Sequence, residues 1–256
     1  MKLIDTHAHL YLEEFEQDLA LCIENAKREN IEKVVLPNVD AASAPKLLSL
    51  WQREPNFFVP MMGLHPCYVK EDYRKELAEL EAYFLRHKFA SVGEIGLDYY
   101  WDTTRIKEQK EAFVQQINWA KDLNLPIAVH CREAFDDILS ILEKEQNGNL
   151  QGVLHCFTGS AEQAQRLVDL GFYLGIGGVV TYKNGGLDKS LASISLNNLV
   201  LETDAPYLSP VPFRGKRNES AYLIYIAEKL GEILNISIEE IAKQTSKNAK
   251  ELFKIA

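Results

Sequence analysis

Eight short apolar runs recur along the chain: "KLIDTH" (2–7), "KVVLPNV" (33–39), "FFVPMMGLH" (57–65), "FASVGEIGL" (89–97), "PIAVHC" (126–131), "GVLHCF" (152–157), "FYLGIGG" (172–178) and "NLVLETD" (198–204). Their nearly continuous apolar character suits parallel strands covered on both faces rather than half-exposed ones. Helical spacing fills the intervals. Leu19, Cys22, Ile23 and Ala26 follow i, i+3, i+4, i+7, as do Leu223, Ile226, Ala227 and Leu230, and Phe113, Ile117 and Ala120 continue the theme. Ser237 and Glu240 have the spacing of a capping box at the head of a last helix through Ile241, Ala242, Ala249 and Leu252. Repeated strand–helix units over 256 residues predict an α/β chain of the (β/α)8 barrel class, with residues 1–256 as one domain. A doubly wound open sheet is the competing architecture. It usually carries fewer strands, and no G-x-G-x-x-G follows the first run.

Composition narrows the setting. Hydrophobic residues make up 46% and charged residues 25%, as in ordinary water-soluble domains. No run approaches the ~20 apolar residues of a membrane span. No apolar leader segment follows the first residues, so no secretory signal is expected. Cys22, Cys67, Cys131 and Cys156 form no C-x-x-C pair and read as reduced thiols of a cytoplasmic protein. The net charge of −9 argues against long-range attraction to nucleic acid. A site is governed by its local charges, however, and bound divalent cations add positive charge that the count omits.

Active sites of a (β/α)8 barrel gather at the C-terminal ends of its strands. Five of the six histidines fall there: His7 and His9 after run one, His65 after run three, His130 after run five and His155 after run six. His87 alone lies elsewhere, in a predicted helix between Arg86 and Lys88. Glu94 and Asp204 bring carboxylates to the ends of runs four and eight. Imidazole with carboxylate suits Zn²⁺, Mn²⁺, Fe²⁺ or Ni²⁺, and carboxylate-rich variants tolerate Mg²⁺. Six candidate ligands (His7, His9, Glu94, His130, His155, Asp204) exceed the four of one tetrahedral site. Two divalent ions use them better: His7, His9 and Asp204 on one, His130 and His155 on the other, Glu94 bridging. Asp204 doubles as the proton acceptor from the attacking water. Cys131 and Cys156 follow ligand histidines, and strand alternation predicts that both point away, toward the helices.

"DTHAHL" (5–10), "GLHP" (63–66), "GEIGLDYY" (93–100), "PIAVHCREA" (126–134), "HCFTGS" (155–160), "ETDAPYLSP" (202–210) and "RGKRNE" (214–219) together resemble the TatD family of metal-dependent hydrolases, within the amidohydrolase superfamily. The resemblance runs the whole length, in order. It implies a TIM barrel, divalent metals, the same ligand roles for His7, His9, Glu94, His130, His155 and Asp204, and DNase activity as in several members. The chain departs at Ser220, where the family often has proline, and in the glycine-rich "GIGGVVTYKNGG" after run seven.

The stretch "APYLSPVPFRGKRNES" after run eight has three prolines and no periodicity, and is expected to be a functional loop over the site. It carries Arg214, Lys216 and Arg217. Arg132 and Arg214 are expected to contact phosphate, His65 to orient substrate, and Asn218 to join the substrate contacts. Tyr99, Tyr100 and Trp101 are candidates to stack on unpaired bases. Asp5 and Glu202 are expected behind the ligands, fixing imidazole tautomers. The activity expected is metal-dependent cleavage of DNA, at ends or in single strands, with no membrane and no obligate protein partner. Hydrolysis of carboxyl esters or amides, including aminoacyl-tRNA, is the alternative, and a non-catalytic metal-binding barrel the third.

Overall fold

Each of the eight apolar runs coincides with all or most of a strand, and the strands pair in parallel in strict chain order. In this computed structural model, which describes residues 1–183 and 185–255, they are β1 (Leu3–Asp5), β2 (Ile31–Leu36), β3 (Phe58–Met62), β4 (Ser91–Asp98), β5 (Ile127–Arg132), β6 (Gly152–Leu154), β7 (Phe172–Ile176) and β8 (Leu199–Leu201). Backbone hydrogen bonds bring β8 round to β1. The Thr6 N–H donates to Leu201 O (3.0 Å), Asp204 N–H to His7 O (2.8 Å) and His9 N–H to Ala205 O (2.7 Å). The sheet is thus a (β/α)8 barrel without an open edge at the seam.

Helices α1 (Leu19–Arg28), α2 (Ala44–Arg53), α3 (Tyr73–Phe84), α4 (Ile106–Leu123), α5 (Phe135–Glu145), α6 (Ala161–Asp169), α7 (Leu187–Leu191) and α8 (Leu223–Leu234) each follow a strand, and α9 (Ile238–Phe253) ends the series. The apolar positions expected of α1, α4 and α8 are buried: Cys22, Ile23 and Ala26, then Phe113, Ile117 and Ala120, then Leu223, Ile226, Ala227 and Leu230. Phe113 is fully buried, and truncating such a side chain to alanine costs about 3–5 kcal/mol. At α9 the Ser237 side chain accepts from the Glu240 N–H (3.3 Å), which is one half of the expected box. Both halves form instead at Ser160 and Gln163, heading α6. His87 lies in the bend after α3, not in a helix, because the last turn of α3 closes at Phe84.

Inside the barrel, Ile4, Val35, Val59, Met61, Ala128, Val153 and Val200 form one apolar cluster with Ala249, Leu252 and Phe253 of α9. Alternation carries the same inward face upward from Ala128 to His130 and from Val153 to His155. The barrel is therefore dry below and polar above. β4 passes close to β5 on the way: a Cβ on Gly96 (φ +142°) would lie 2.0 Å from His130 O, so only glycine fits at that position. No helix among the described residues is long and apolar enough to cross a membrane.

Candidate metal centre

Glu94 is the hub of the C-terminal rim, 2% exposed at the centre of β4. Its two oxygens face different histidines. Oε2 lies 3.0 Å from His7 Nε2 and 3.5 Å from His9 Nε2. Oε1 lies 2.7 Å from His155 Nε2, 3.0 Å from His130 Nδ1 and 3.4 Å from His65 Nε2. Asp204 Oδ1 completes the first side, 3.5 Å from His9 Nε2 and 3.9 Å from His7 Nε2. The rings of His7 and His155 stack at 4.1 Å and join the two sides. All six sequence-designated ligands thus meet in one place.

This donor set fits divalent cations. His7, His155 and Asp204, then His7, His9 and Glu94, then His65, Glu94 and His130 form three overlapping groups whose ligand atoms lie within 4.8 Å of one another. His130 Nδ1 approaches His155 Nε2 to 3.1 Å, two nitrogens that repel if both are protonated. Burial would raise the Glu94 carboxyl, but the charges of His155, His7 and His65 and the His130 bond hold it well below the usual carboxylate range. Burial would lower His155, yet Glu94 and Glu202 keep its imidazolium well above the ordinary value. Asp204 is likewise lowered: burial opposes, and the His9 bond and the His155 and His7 charges prevail. The carboxylates stay ionised and wait on positive charge, which protons supply at low pH and metal ions can supply in their place.

His65 is close enough to be a ligand, but its chemistry differs. Its Nδ1 accepts the Cys67 N–H (3.1 Å) at the head of a short 3-10 turn. Burial, first, and the neighbouring His130 hold its pKa down to about 4 against the pull of Glu94. A neutral ring accepting at Nδ1 carries its hydrogen on Nε2, so His65 presents an N–H to the site. That agrees with an orienting role.

Asp98 stands behind a designated ligand, a placement that sequence reasoning missed. It is buried at the end of β4, and its Oδ2 lies 2.8 Å from His130 Nε2. Its Oδ1 accepts the Tyr100 N–H (2.9 Å) and the Trp101 N–H (3.1 Å). Burial opposes its ionisation, but the His130 bond and charge and then the two amides bring its pKa to about 2. An ionised carboxylate only accepts, so His130 carries hydrogen on Nε2 and turns Nδ1 toward Glu94. The signal was present in "GEIGLDYY": Glu94, Gly96 and Asp98 alternate along one strand face.

The partners expected behind the ligands differ in kind. Glu202 Oε1 lies 3.6 Å from His155 Nδ1 and accepts the Cys156 N–H, while Glu202 Oε2, His155 Nδ1 and His7 Nδ1 have no hydrogen-bond partner among the described residues. Asp5 holds backbone rather than imidazole: its Oδ1 accepts the Thr203 N–H (2.9 Å) and His7 N–H (3.3 Å), and its Oδ2 the Thr203 hydroxyl (2.6 Å). His9 Nδ1 is held by the Tyr11 hydroxyl (3.2 Å). Cys156 does not follow the alternation expected of it. β6 ends at Leu154 and Cys156 has φ +47°, so strand alternation no longer governs its side chain, and its N–H is given to Glu202.

On the substrate side the expected residues divide. Arg132 is exposed, its guanidinium 3.8 Å above the Tyr100 ring, and Arg214 lies 4.5 Å over Tyr182. Neither meets a carboxylate among the described ion pairs. Tyr100 and Trp101 are exposed, but Tyr99 is partly buried and donates its hydroxyl to Asp137 (2.8 Å), so it packs under the loop. Arg217 is committed to Asp18 through two 2.7 Å bonds and leaves the basic cluster. Asn218, designated a substrate contact, is fully buried. Its amide donates to Thr203 O and Tyr207 O (both 2.7 Å) and its carbonyl accepts the Glu219 N–H, so it braces the segment that carries Asp204 and has no free amide hydrogen. Ser220 opens a short 3-10 turn there, buried, with no hydrogen bond from its hydroxyl among the described residues. Within the glycine-rich loop, Asn184 lies outside the described residues. Gly178 is required by close approach, since a Cβ there would lie 1.9 Å from Leu208 O.

Comparison with known proteins accounts for this architecture. The sequence profile of TatD related DNases matches residues 4–254. The chain belongs to the TatD family. An uncharacterized metal-dependent hydrolase of Bacillus subtilis, YabD, is 41% identical over 254 residues, covering 99% of each chain. The crystal structure of the TatD homolog YjjV from Escherichia coli superposes with a TM-score of 0.93 at 29% identity, over 99% of this chain and 98% of that one. A phosphotriesterase homology protein of Escherichia coli shares the fold, with a TM-score of 0.73 at 15% identity over 98% of both chains. As a TatD-family member the chain is a metal-dependent hydrolase, and the clustered histidines and carboxylates are groups that could hold a metal ion.

Proposed function

We propose that the protein is a two-metal phosphodiesterase acting on DNA, at ends or on single strands. The observation that supports this best is the division of one buried carboxylate, with Glu94 Oε2 toward His7 and His9 and Oε1 toward His130 and His155. On this reading His7, His9 and Asp204 hold one divalent ion, His130 and His155 the other, and Glu94 both. Ions held there lower the pKa of water to about 7 and neutralise charge on phosphoryl oxygens. The chain's own residues do the rest. Asp204, kept ionised, takes the proton of the attacking water. His65 Nε2–H donates to a phosphoryl oxygen. Arg132 and Arg214, free of carboxylate partners among the described residues, hold flanking phosphates. Exposed Tyr100 and Trp101 offer faces to unpaired bases. The free cysteines suit a reducing cytoplasm.

The test is hydrolysis of 5′- and 3′-labelled single-stranded DNA by metal-stripped protein, with Mg²⁺, Mn²⁺ or Zn²⁺ restored and Asp204→Asn alongside. Metal-dependent cleavage lost in the variant is the expected result. Metal uptake without cleavage of DNA, together with turnover of a carboxyl ester or amide, would replace this reading with the alternative.

A further inference from the structure

We propose that Asp98 is a positioning residue that couples the Tyr100–Trp101 loop to the His130 half of the metal centre, so that ion binding at that half and order in the loop reinforce each other. The inference rests on the metal-centre reading but not on DNA as the substrate.

The geometry divides one carboxylate between two tasks. Oδ2 fixes His130 through Nε2 (2.8 Å), and Oδ1 gathers the successive N–H groups of Tyr100 (2.9 Å) and Trp101 (3.1 Å). The side chain is 1% exposed, so water does not compete for these bonds. Gln109 locks the same turn from α4: its Oε1 accepts the Asp98 N–H (2.9 Å), and its amide donates to Asp98 O (3.0 Å). Asp98 is also paired in register with Arg132, whose guanidinium covers Tyr100. Two exposed aromatics of this rim are thus one carboxylate away from a ligand ring. None of the other ligand histidines has this arrangement. His9 is backed by a hydroxyl, His155 stands 3.6 Å from Glu202, and His7 Nδ1 has no partner among the described residues.

Coupling follows from the shared carboxylate. A cation on His130 Nδ1 makes Nε2–H a stronger donor, which fixes the Asp98 rotamer that the two amides need. Ordering of the loop fixes the same rotamer and holds Nδ1 toward Glu94. By linkage the effect is equal in both directions. Asp98→Asn breaks it, because an amide offers one oxygen. If that oxygen faces His130, the NH₂ group meets two N–H donors, and if it faces the amides, the NH₂ group meets the His130 N–H.

The experiment titrates metal-stripped protein with Mn²⁺ while amide hydrogen exchange is read at Tyr100 and Trp101, in wild type, Asp98→Asn and Asp102→Asn. The Asp102 side chain bonds Thr104 within the same loop and, among the described residues, nothing of the metal centre, so its variant is the control. Wild type is expected to slow both amides at least about fivefold on binding Mn²⁺. Asp98→Asn is expected to lose that protection and to bind one ion about 10–100-fold more weakly, the other being little changed. Asp102→Asn is expected to behave as wild type. Wild-type amides that exchange equally fast with and without Mn²⁺ overturn the proposal, whether or not the variant folds. So does protection retained in Asp98→Asn, or equal weakening of both ions. DNA cleavage enters none of these readouts, so its failure is separable.

Discussion

The two ends of the barrel are built from the same eight strands and differ in how their charges are satisfied. At the N-terminal end Glu32 receives Lys2 and Lys250, each at 3.0 Å, and Lys247 pairs with Glu251. These residues line an open cavity of about 550 Å³ in which Glu32 and Glu251 each have a lysine partner. At the C-terminal end Glu94 is surrounded by imidazoles, with ring nitrogens 3.1 Å apart and buried atoms without partners among the described residues. Space alone does not mark the working end. Unsatisfied charge held in place by a rigid sheet does, because buried groups that cannot satisfy each other bind whatever supplies the missing charge.

Substitutions at the two ends sharpen the contrast. Glu94→Gln is expected to have the largest effect: loss of bound metal by elemental analysis and at least about a thousandfold loss of hydrolysis, since bound ions contribute several kcal/mol of charge stabilisation. Full metal content in this variant would break the assignment of Glu94 as the shared ligand. Asp204→Asn is expected to lower kcat about 100–10,000-fold as a proton acceptor is removed, with a smaller change in KM.

Thermal stability against pH provides the next test. His155 and His130 both have raised values: burial opposes, and the Glu94 charge for His155 and the Asp98 bond for His130 prevail. A raised histidine stabilises the metal-free fold fully below its unfolded value of 6.5, and this contribution is lost as pH rises through the folded value. Cations require the neutral rings. The stabilisation on adding Mn²⁺, read as a rise in Tm, is therefore expected to be small below pH 6.5 and to grow as pH rises through the folded values of His155 and His130, reaching about 2.7 kcal/mol at a hundredfold excess over Kd. A metal-induced shift independent of pH would contradict competition between protons and metal.

Arg132→Ala is expected to raise KM for oligonucleotides by about tenfold or more, as bonds to charged groups are worth about 1.5–3 kcal/mol. Loss of one phosphate contact, at Arg132 or Arg214, also flattens the salt dependence of binding by about 0.7–0.9 in slope, and an unchanged slope removes that contact. Glu32→Gln, at the opposite end, is expected to cost less than about 1 kcal/mol and to leave hydrolysis unchanged. A catalytic effect there would erase the distinction between the two ends.

The barrel and the gathering of six histidines and carboxylates at its rim were legible in the sequence because both are written locally. Strand and helix periods repeat within each unit, His7, His9, His130, His155 and Asp204 stand at or just after the ends of apolar runs, and Glu94 lies inside one. Residues whose role depends on a neighbour in another unit were read less well. Asn218 and Tyr99 have the residue types of substrate contacts, yet one braces the Asp204 segment and the other bonds Asp137. Arg217 belongs to a basic cluster in sequence and to Asp18 in space. Cys156 escaped the alternation rule because its strand had already ended.

By itself, then, the sequence determined the class of fold and the kinds of atoms at the rim. Only the tertiary structure decided which atom faces which: Asp98 behind His130, Cys67 N–H on His65 Nδ1, and the two oxygens of Glu94 turned to different histidines. The physical reason is that periodicity and residue type follow from one segment's own backbone. A tautomer or a shared carboxylate follows from the register between segments far apart in the chain, which closure of the barrel sets.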